Sequence, residues 1–178
     1  MNLSAEFIQR LEDLQDGERS RLRRLLGQPL NASLQGFDLF TGLWWPLRER
    51  SPRAPERRSA WLVAKLFGAS GVPHVAGSAL PCVLGRCEPR EEHDQKRFRD
   101  RFDALLCSPL AALEPHLAWG LREAAKAIAG RVPWARDVQG IDWEKLLDDL
   151  RLWDRGSDDR DIRDIWAEVY LNAAGQPT

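Results

Sequence analysis

The chain has 178 residues, 43% of them hydrophobic and eight of them tryptophan, enough to bury the core of one domain or of two small subdomains. Its net charge of −1 hides a polarised layout: residues 1 to 65 hold 11 Lys/Arg against 8 Asp/Glu, residues 66 to 136 hold 10 against 8, and residues 137 to 178 hold 5 against 11. A near-neutral total therefore excludes neither a polyanion-binding surface nor an acidic one, whereas the lack of any run near the roughly 18 apolar residues of a membrane span excludes a transmembrane helix.

Residues 1 to 15 interleave charges with Phe7, Ile8, Leu11 and Leu14 at helical spacing, unlike a secretory signal or a transit peptide. Three cysteines without export signals read as reduced thiols, and the expected location is the cytoplasm. β-Branched residues are scarce and apolar positions recur at three and four, so the expected fold is all-α. Ser4 is placed to cap a first helix, and Gly17 separates it from a second over Glu18 to Leu26, stopped by Gly27 and Pro29. From Gln28 to Ala54, Pro46 and Pro52 punctuate a segment that reads as irregular, holding Trp44 and Trp45. Pro55 opens a helix reaching about Ala69. Residues 71 to 89, rich in Gly and Pro and containing Cys82 and Cys87, read as a long loop and as the subdomain boundary.

Beyond it, a helix from Glu91 to Cys107 buries Phe98, Phe102, Leu105 and Leu106. Ser108 and Pro109 start the next, with Leu110, Leu113, Leu117, Leu121, Ala124 and Ile128 on one stripe. Asp142 caps a helix whose Trp143, Leu146, Leu150 and Trp153 form a core stripe. The last helix starts near Asp158 or Asp159 and buries Ile162, Ile165, Trp166, Val169 and Tyr170. The expected organisation is an N-terminal helical subdomain over 1–90 and a C-terminal four-helix bundle over 91–178.

No glycine-rich phosphate loop, nucleophile elbow, i,i+4 histidine pair or CxxC is present, so no catalytic residue, metal or cofactor is expected. Cys82, Cys87 and His93, with His74 or Cys107, match no compact zinc module. His116 beside Leu117 and Trp119 reads as a packing residue. Asp148, Asp149, Asp158, Asp159, Asp161 and Asp164 lack the spacing of calcium ligands and read as a solvated face.

The basic residues are more informative. Arg57 and Arg58 occupy the first turn after Pro55, where the helix dipole disfavours cations by a few tenths of a kcal/mol. Arg19 with Arg23, Arg97 with Arg101, and Arg122 with Lys126 are like-charged at i,i+4, unfavourable by roughly 0.2 to 0.5 kcal/mol per pair. A polyanion turns that repulsion into attraction, and arginine is the side chain whose fork fits phosphate. The bland alternatives are dipole complementation for Arg23 and Arg24 at a helix end, and surface ion pairs from Asp94 and Asp100 to Arg97 and Arg101 or from Glu123 to Arg122. Trp61, Trp119, Trp143, Trp153 and Trp166 read as core, while Trp44 and Trp45 are freer to face a partner.

An ordered set of landmarks goes further: Phe7 to Leu14, Gly17 and Leu22-Arg23-Arg24; Trp61 to Phe67; Arg97-Phe98, Phe102 and Leu105-Leu106; Leu121-Arg122; Asp142-Trp143, Leu146-Leu147, Asp149-Leu150 and Trp153; Trp166 and Tyr170. In these the chain resembles the small subunit of the type I-E CRISPR surveillance complex Cascade, the CasB family. The resemblance implies a non-catalytic, all-helical antiviral-defence protein present as two copies beside the backbone and large subunits. It further implies contacts with guide RNA (crRNA), target DNA and the displaced strand that hold the R-loop open without reading sequence. Carried over by position, the nucleic-acid contacts are Arg23, Arg24, Arg57, Arg58, Arg97, Arg101 and Arg122, with Lys126 beside the last. Arg160 and Arg163 are weaker, because Asp154, Asp158, Asp159, Asp161 and Asp164 surround them. The competing classes are a helical protein-interaction adaptor without nucleic-acid contact and a metal-dependent hydrolase built on the Cys/His set.

Overall fold

The computed structural model describes residues 2–156 and 160–176. Its helices are α1 (Leu3–Glu12), α2 (Asp16–Arg24), α3 (Leu34–Arg50), α4 (Arg57–Ser70), α5 (Leu80–Cys87), α6 (Glu92–Cys107), α7 (Glu114–Ile128), α8 (Trp143–Leu152) and α9 (Ile162–Ala174). Among the described residues the only β pairing is an isolated bridge between His74 and Ile141, so the protein is all-α. None of these helices is long and apolar enough to cross a membrane.

The chain divides into two compact units, Met1–Gly71 with Trp143–Arg151, and Val72–Asp142 with Leu152–Thr178. That division differs from a break at residue 90 in two ways. The segment Val72 to Arg90 belongs to the second unit, and α8 belongs to the first.

In unit 1, Asn2 rather than Ser4 caps α1, its side chain accepting from the Ser4 amide at 3.1 Å. The Ser4 hydroxyl is freed to donate to Asp148 of α8 at 2.6 Å. α1 buries Phe7, Ile8 and Leu11. α2 begins at Asp16, before Gly17, with the Glu18 carboxylate accepting from the Gln15 amide at 3.0 Å. The segment read as irregular is the longest helix of the unit, α3, which contains Pro46. Proline removes one backbone bond and crowds the carbonyl four residues back; the helix continues through it because Phe40, Leu43 and Leu47 are buried along α3. α4 starts after Glu56, so Pro55 lies just outside it, and Gly71 ends it with φ 64°. Gly68 lets α2 approach, since a Cβ there would lie 2.6 Å from the Leu22 Cβ.

In unit 2, the expected loop over 71–89 is structured at both ends. The Val75 amide donates to the Ile141 carbonyl at 2.8 Å and the Ile141 amide to Pro73 at 3.0 Å. Residues Leu80–Cys87 then form α5, short but mostly buried, with Pro81 in its first turn. It packs on α9 through Gly85, where an added Cβ would lie 2.4 Å from the Tyr170 carbonyl oxygen and 2.9 Å from the Ala173 Cβ. The four helices of this unit are therefore α5, α6, α7 and α9, with α5 where sequence periodicity placed α8. A start of α9 near Asp158 or Asp159 lies outside the described residues; the described helix begins at Ile162, capped by Asp161, whose carboxylate accepts from the Arg163 and Asp164 amides.

Gly85 gives a direct test of this packing. Gly85→Ala should gain about 1 kcal/mol of helix propensity and lose about 3 kcal/mol to overpacking against backbone. The urea midpoint should fall; an unchanged or raised midpoint would contradict the close approach of α5 and α9.

Candidate nucleic-acid interface

Unit 1 carries two pairs of cations. Arg23 and Arg24 are the last residues of α2, and Arg57 and Arg58 are the first of α4. All four are exposed, and among the described residues none makes an ion pair or side-chain hydrogen bond. The contact of Gly68 with Leu22 and the Arg23 amide sets the first pair beside the C-terminal part of α4. Ten residues separate Gly68 from Arg58, about 15 Å along a helix. The two pairs thus mark separate points on one unit rather than a single cluster. Arg23 and Arg24 stand at the negative end of α2, which already favours cations, whereas Arg57 and Arg58 stand at the positive end of α4 without any carboxylate of the described chain bonded to them.

Unit 2 carries Arg97 and Arg101 on α6 and Arg122 on α7, all exposed and likewise without a bonded partner among the described residues. The carboxylates that sequence offered them are occupied elsewhere. Asp94 faces His93 at 3.8 Å, Asp100 pairs with Lys96 at 3.7 Å, and Glu123 pairs with Lys126 at 2.8 Å. Lys126 is thus the one member of the expected set whose charge is already matched. Phe98 and Trp119 meet edge to face at 5.0 Å and hold α6 against α7. Arg97 adjoins the first ring in sequence and Arg122 follows the second by one turn, so the two arginines extend from neighbouring helices.

Arg160 and Arg163, the weaker candidates, are already paired within the protein. Arg160 bonds Glu168. Arg163 is half-buried and donates to the carbonyls of Leu106 at 3.0 Å and Trp153 at 3.4 Å, reaches Asp154 at 3.3 Å, and lies 5.3 Å over the Trp153 ring. It ties the end of α6 to the turn before α9. Of the aspartates read as a solvated face, Asp161 and Asp164 cap α9, Asp148 accepts from Ser4, and Asp149 accepts from Lys145, while Asp158 and Asp159 lie outside the described residues.

The described residues do not bring the Cys/His set together as a ligand cluster. Among the described residues the one grouping with ligand spacing is Glu91, His93 and Asp94, all exposed, and it includes none of the cysteines. Cys87 is buried, its Sγ 3.9 Å from the Glu123 carbonyl, and burial pushes its thiol up to about 12. His116 is half-buried on α7.

The five tryptophans read as core are buried. Trp44 and Trp45 lie on α3 rather than in a loop, and Trp45 keeps 47% of its surface exposed. Sequence reasoning passed over Arg53, exposed and without a carboxylate among the described residues. Arg53 sits in a turn closed by the Ala54 amide donating to the Ser51 carbonyl at 3.2 Å, and the nearby Pro52 and Pro55 were the available signal.

The fold is all-α, and its distinguishing surface feature is a set of exposed arginines on several helices without a bonded carboxylate among the described residues. Residues 18–170 match the model of the CRISPR-associated protein Cse2 family, and the chain belongs to that family. It is 30% identical over 121 residues to the CRISPR-associated protein Cse2 of Thermus thermophilus, a match spanning 68% of this chain and 60% of that relative. Among solved structures, a Cse2-family protein of Thermus thermophilus superposes with a TM-score of 0.68 at 23% identity, covering 97% of this chain and 99% of that one. M. ruber CasB gives a TM-score of 0.68 at 18% identity, covering 96% and 93%. Both likenesses establish the fold.

Proposed function

We propose that this protein is the non-catalytic small subunit of a type I-E CRISPR RNA-guided surveillance complex, Cascade, working in the cytoplasm in antiviral defence. Its partners are the crRNA, the target DNA and displaced strand, the backbone and large subunits, and a second copy of itself. Exposed arginines on both units neutralise phosphates and release counterions, which favours the open R-loop without reading bases. Because guide–target pairing replaces a DNA duplex of similar stability, contacts of about 1 kcal/mol each, summed along the strand, suffice to oppose reannealing.

The observation that carries this reading is that Arg57, Arg58, Arg97, Arg101 and Arg122, in a Cse2-family chain, are exposed and have no bonded carboxylate among the described residues. Internal ion pairs, the bland explanation for the i,i+4 arginines, go instead to Lys96 and Lys126. A protein-interaction adaptor would turn the same cations to acidic protein surfaces, and binding to an oligonucleotide separates the two.

The test is binding of the full chain to a labelled single-stranded oligonucleotide across salt concentrations. Affinity should be independent of base sequence and fall with salt. Arg57→Glu and Arg122→Glu should each weaken binding and flatten the plot of log K against log salt by about 0.7 for each phosphate no longer neutralised, while the far-UV circular dichroism stays unchanged. A wild-type chain that binds no oligonucleotide at about 50 mM salt, where such contacts are strongest, would overturn the proposal in favour of the adaptor.

A further inference from the structure

Trp45 ends a column of aromatic rings that runs from the core of unit 1 to its surface. Phe7 meets Phe40 edge to face at 6.5 Å, Phe40 stacks on Trp44 at 5.8 Å with 13° between the planes, and Trp44 meets Trp45 at 5.9 Å and 57°. Both indoles are held: Trp44 Nε1 donates to the Pro55 carbonyl and Trp45 Nε1 to the Glu49 carboxylate, each at 2.7 Å. Trp45 is thus orientationally fixed before any partner arrives, yet 47% exposed, with Phe37 at 43% two turns back along α3. Phe37, Thr41, Trp45 and Arg48 recur at three and four residues and share one helix face.

Charge decides between an apolar protein partner and a nucleic acid. The strap from Pro52 to Glu56 is bound to α3 through Trp44 and through Arg48, whose Nη1 donates to the Pro52 carbonyl at 2.8 Å. Arg53 lies on that strap, and Arg57 follows Pro55 by two residues, at most about 7 Å of chain. Arg53, Arg57 and Arg58 are exposed and without a bonded carboxylate among the described residues; on α3 itself, Glu49 is engaged by the indole and Asp38 is the other exposed acid. The strap that carries these cations is tied to α3 at Trp44 and Arg48, and exposed guanidinium groups suit phosphate better than an apolar protein surface. A single strand offers a base for the ring and phosphates for the arginines.

We infer that Trp45, backed by Trp44, is a base-stacking platform for single-stranded nucleic acid, with Arg53 and Arg57 on the adjoining phosphates. This rests on the phosphate-binding reading above and adds selectivity to it. Bases in a duplex are already stacked on each other, so the platform discriminates for an unpaired strand.

The experiment compares oligo(dT), an abasic deoxyribose-phosphate strand of equal length, and duplex DNA by fluorescence anisotropy, using the full chain with Trp45→Ala, Trp45→Phe and Arg57→Gln variants. Thermal melts confirm that each variant is folded. Trp45→Ala should weaken oligo(dT) binding about ten-fold, leave the abasic strand and duplex unchanged, and keep the wild-type salt slope, whereas Trp45→Phe retains most of the affinity. Arg57→Gln should weaken all three and lower the slope. If Trp45→Ala leaves oligo(dT) binding intact, or weakens oligo(dT) and the abasic strand equally, stacking is overturned while the phosphate reading stands. If the wild-type chain binds none of the three, the phosphate reading fails and this one with it.

Discussion

Trp143→Ala should destabilise the protein by about 3 to 5 kcal/mol, the cost of emptying a large buried aromatic site. Trp143 has 0% relative exposure and meets Phe67 of α4 edge to face at 5.3 Å. Around it, Asn2 donates to Glu144 at 2.7 Å and Ser4 to Asp148 at 2.6 Å, so α8 closes the base of α1 as well. The lost stability should therefore appear in unit 1. Amide hydrogen exchange of the variant should show protection falling most in α1, α4 and α8. Loss confined to α5, α6, α7 and α9 would contradict the assignment of α8 to the first unit.

The same helix marks where sequence stopped being informative. Periodicity placed Trp143, Leu146, Leu150 and Trp153 on one buried stripe; all four are buried, but α8 ends at Leu152 and Trp153 belongs to unit 2. A stripe records only that some surface covers it; which surface depends on contacts between residues as far apart as Ser4 and Asp148. α3 and α5 were hidden for a different reason, because proline and glycine argue locally against helix. In α3 the penalty of Pro46 is offset by the buried face around Phe40. In α5, Gly85 is present because the backbone of α9 comes too close for a side chain. In both, tertiary packing overrides local propensity, which no short window contains.

The cationic sites were legible as positions and not as states. Unfavourable placement flagged Arg57, Arg58, Arg97 and Arg122, yet the same logic could not separate Arg122 from Lys126, one turn away. Only the geometry gives Glu123 to the lysine. Arg163 shows the converse, since a basic residue among aspartates looks solvated and instead bonds two backbone carbonyls.

Glu88→Ala should destabilise unit 2 by about 3 kcal/mol, the sum of an orphaned buried hydroxyl and forfeited charge-assisted bonds, and the wild-type chain should lose the same contribution in acid. Glu88 is buried in the turn between α5 and α6, and its carboxylate accepts from Arg99 through two nitrogens, from Gln95 at 3.0 Å and from the Tyr170 hydroxyl at 2.8 Å. Removing it leaves the Tyr170 hydroxyl buried without this acceptor, at about 1 to 3 kcal/mol, and forfeits charge-assisted bonds of similar size. Arg99 is half-exposed and regains water, which keeps the total below that of a fully buried pair. Burial alone would raise the Glu88 carboxyl, but the hydrogen bonds from Arg99, Tyr170 and Gln95 outweigh it and hold the group below its ordinary value of 4.5. The native state therefore binds this proton more weakly than the unfolded chain does. Its stabilisation is complete above about 4.5, the unfolded value, and is lost as pH falls through the lower native value. Thermal melts of wild type should drop over that acid range, and Glu88→Gln, which keeps the shape without the charge, should flatten the drop while melting lower at neutral pH. An identical acid profile in the two proteins would show that Glu88 does not hold α5, α6 and α9 together, and with them the helix that presents Arg97 and Arg101.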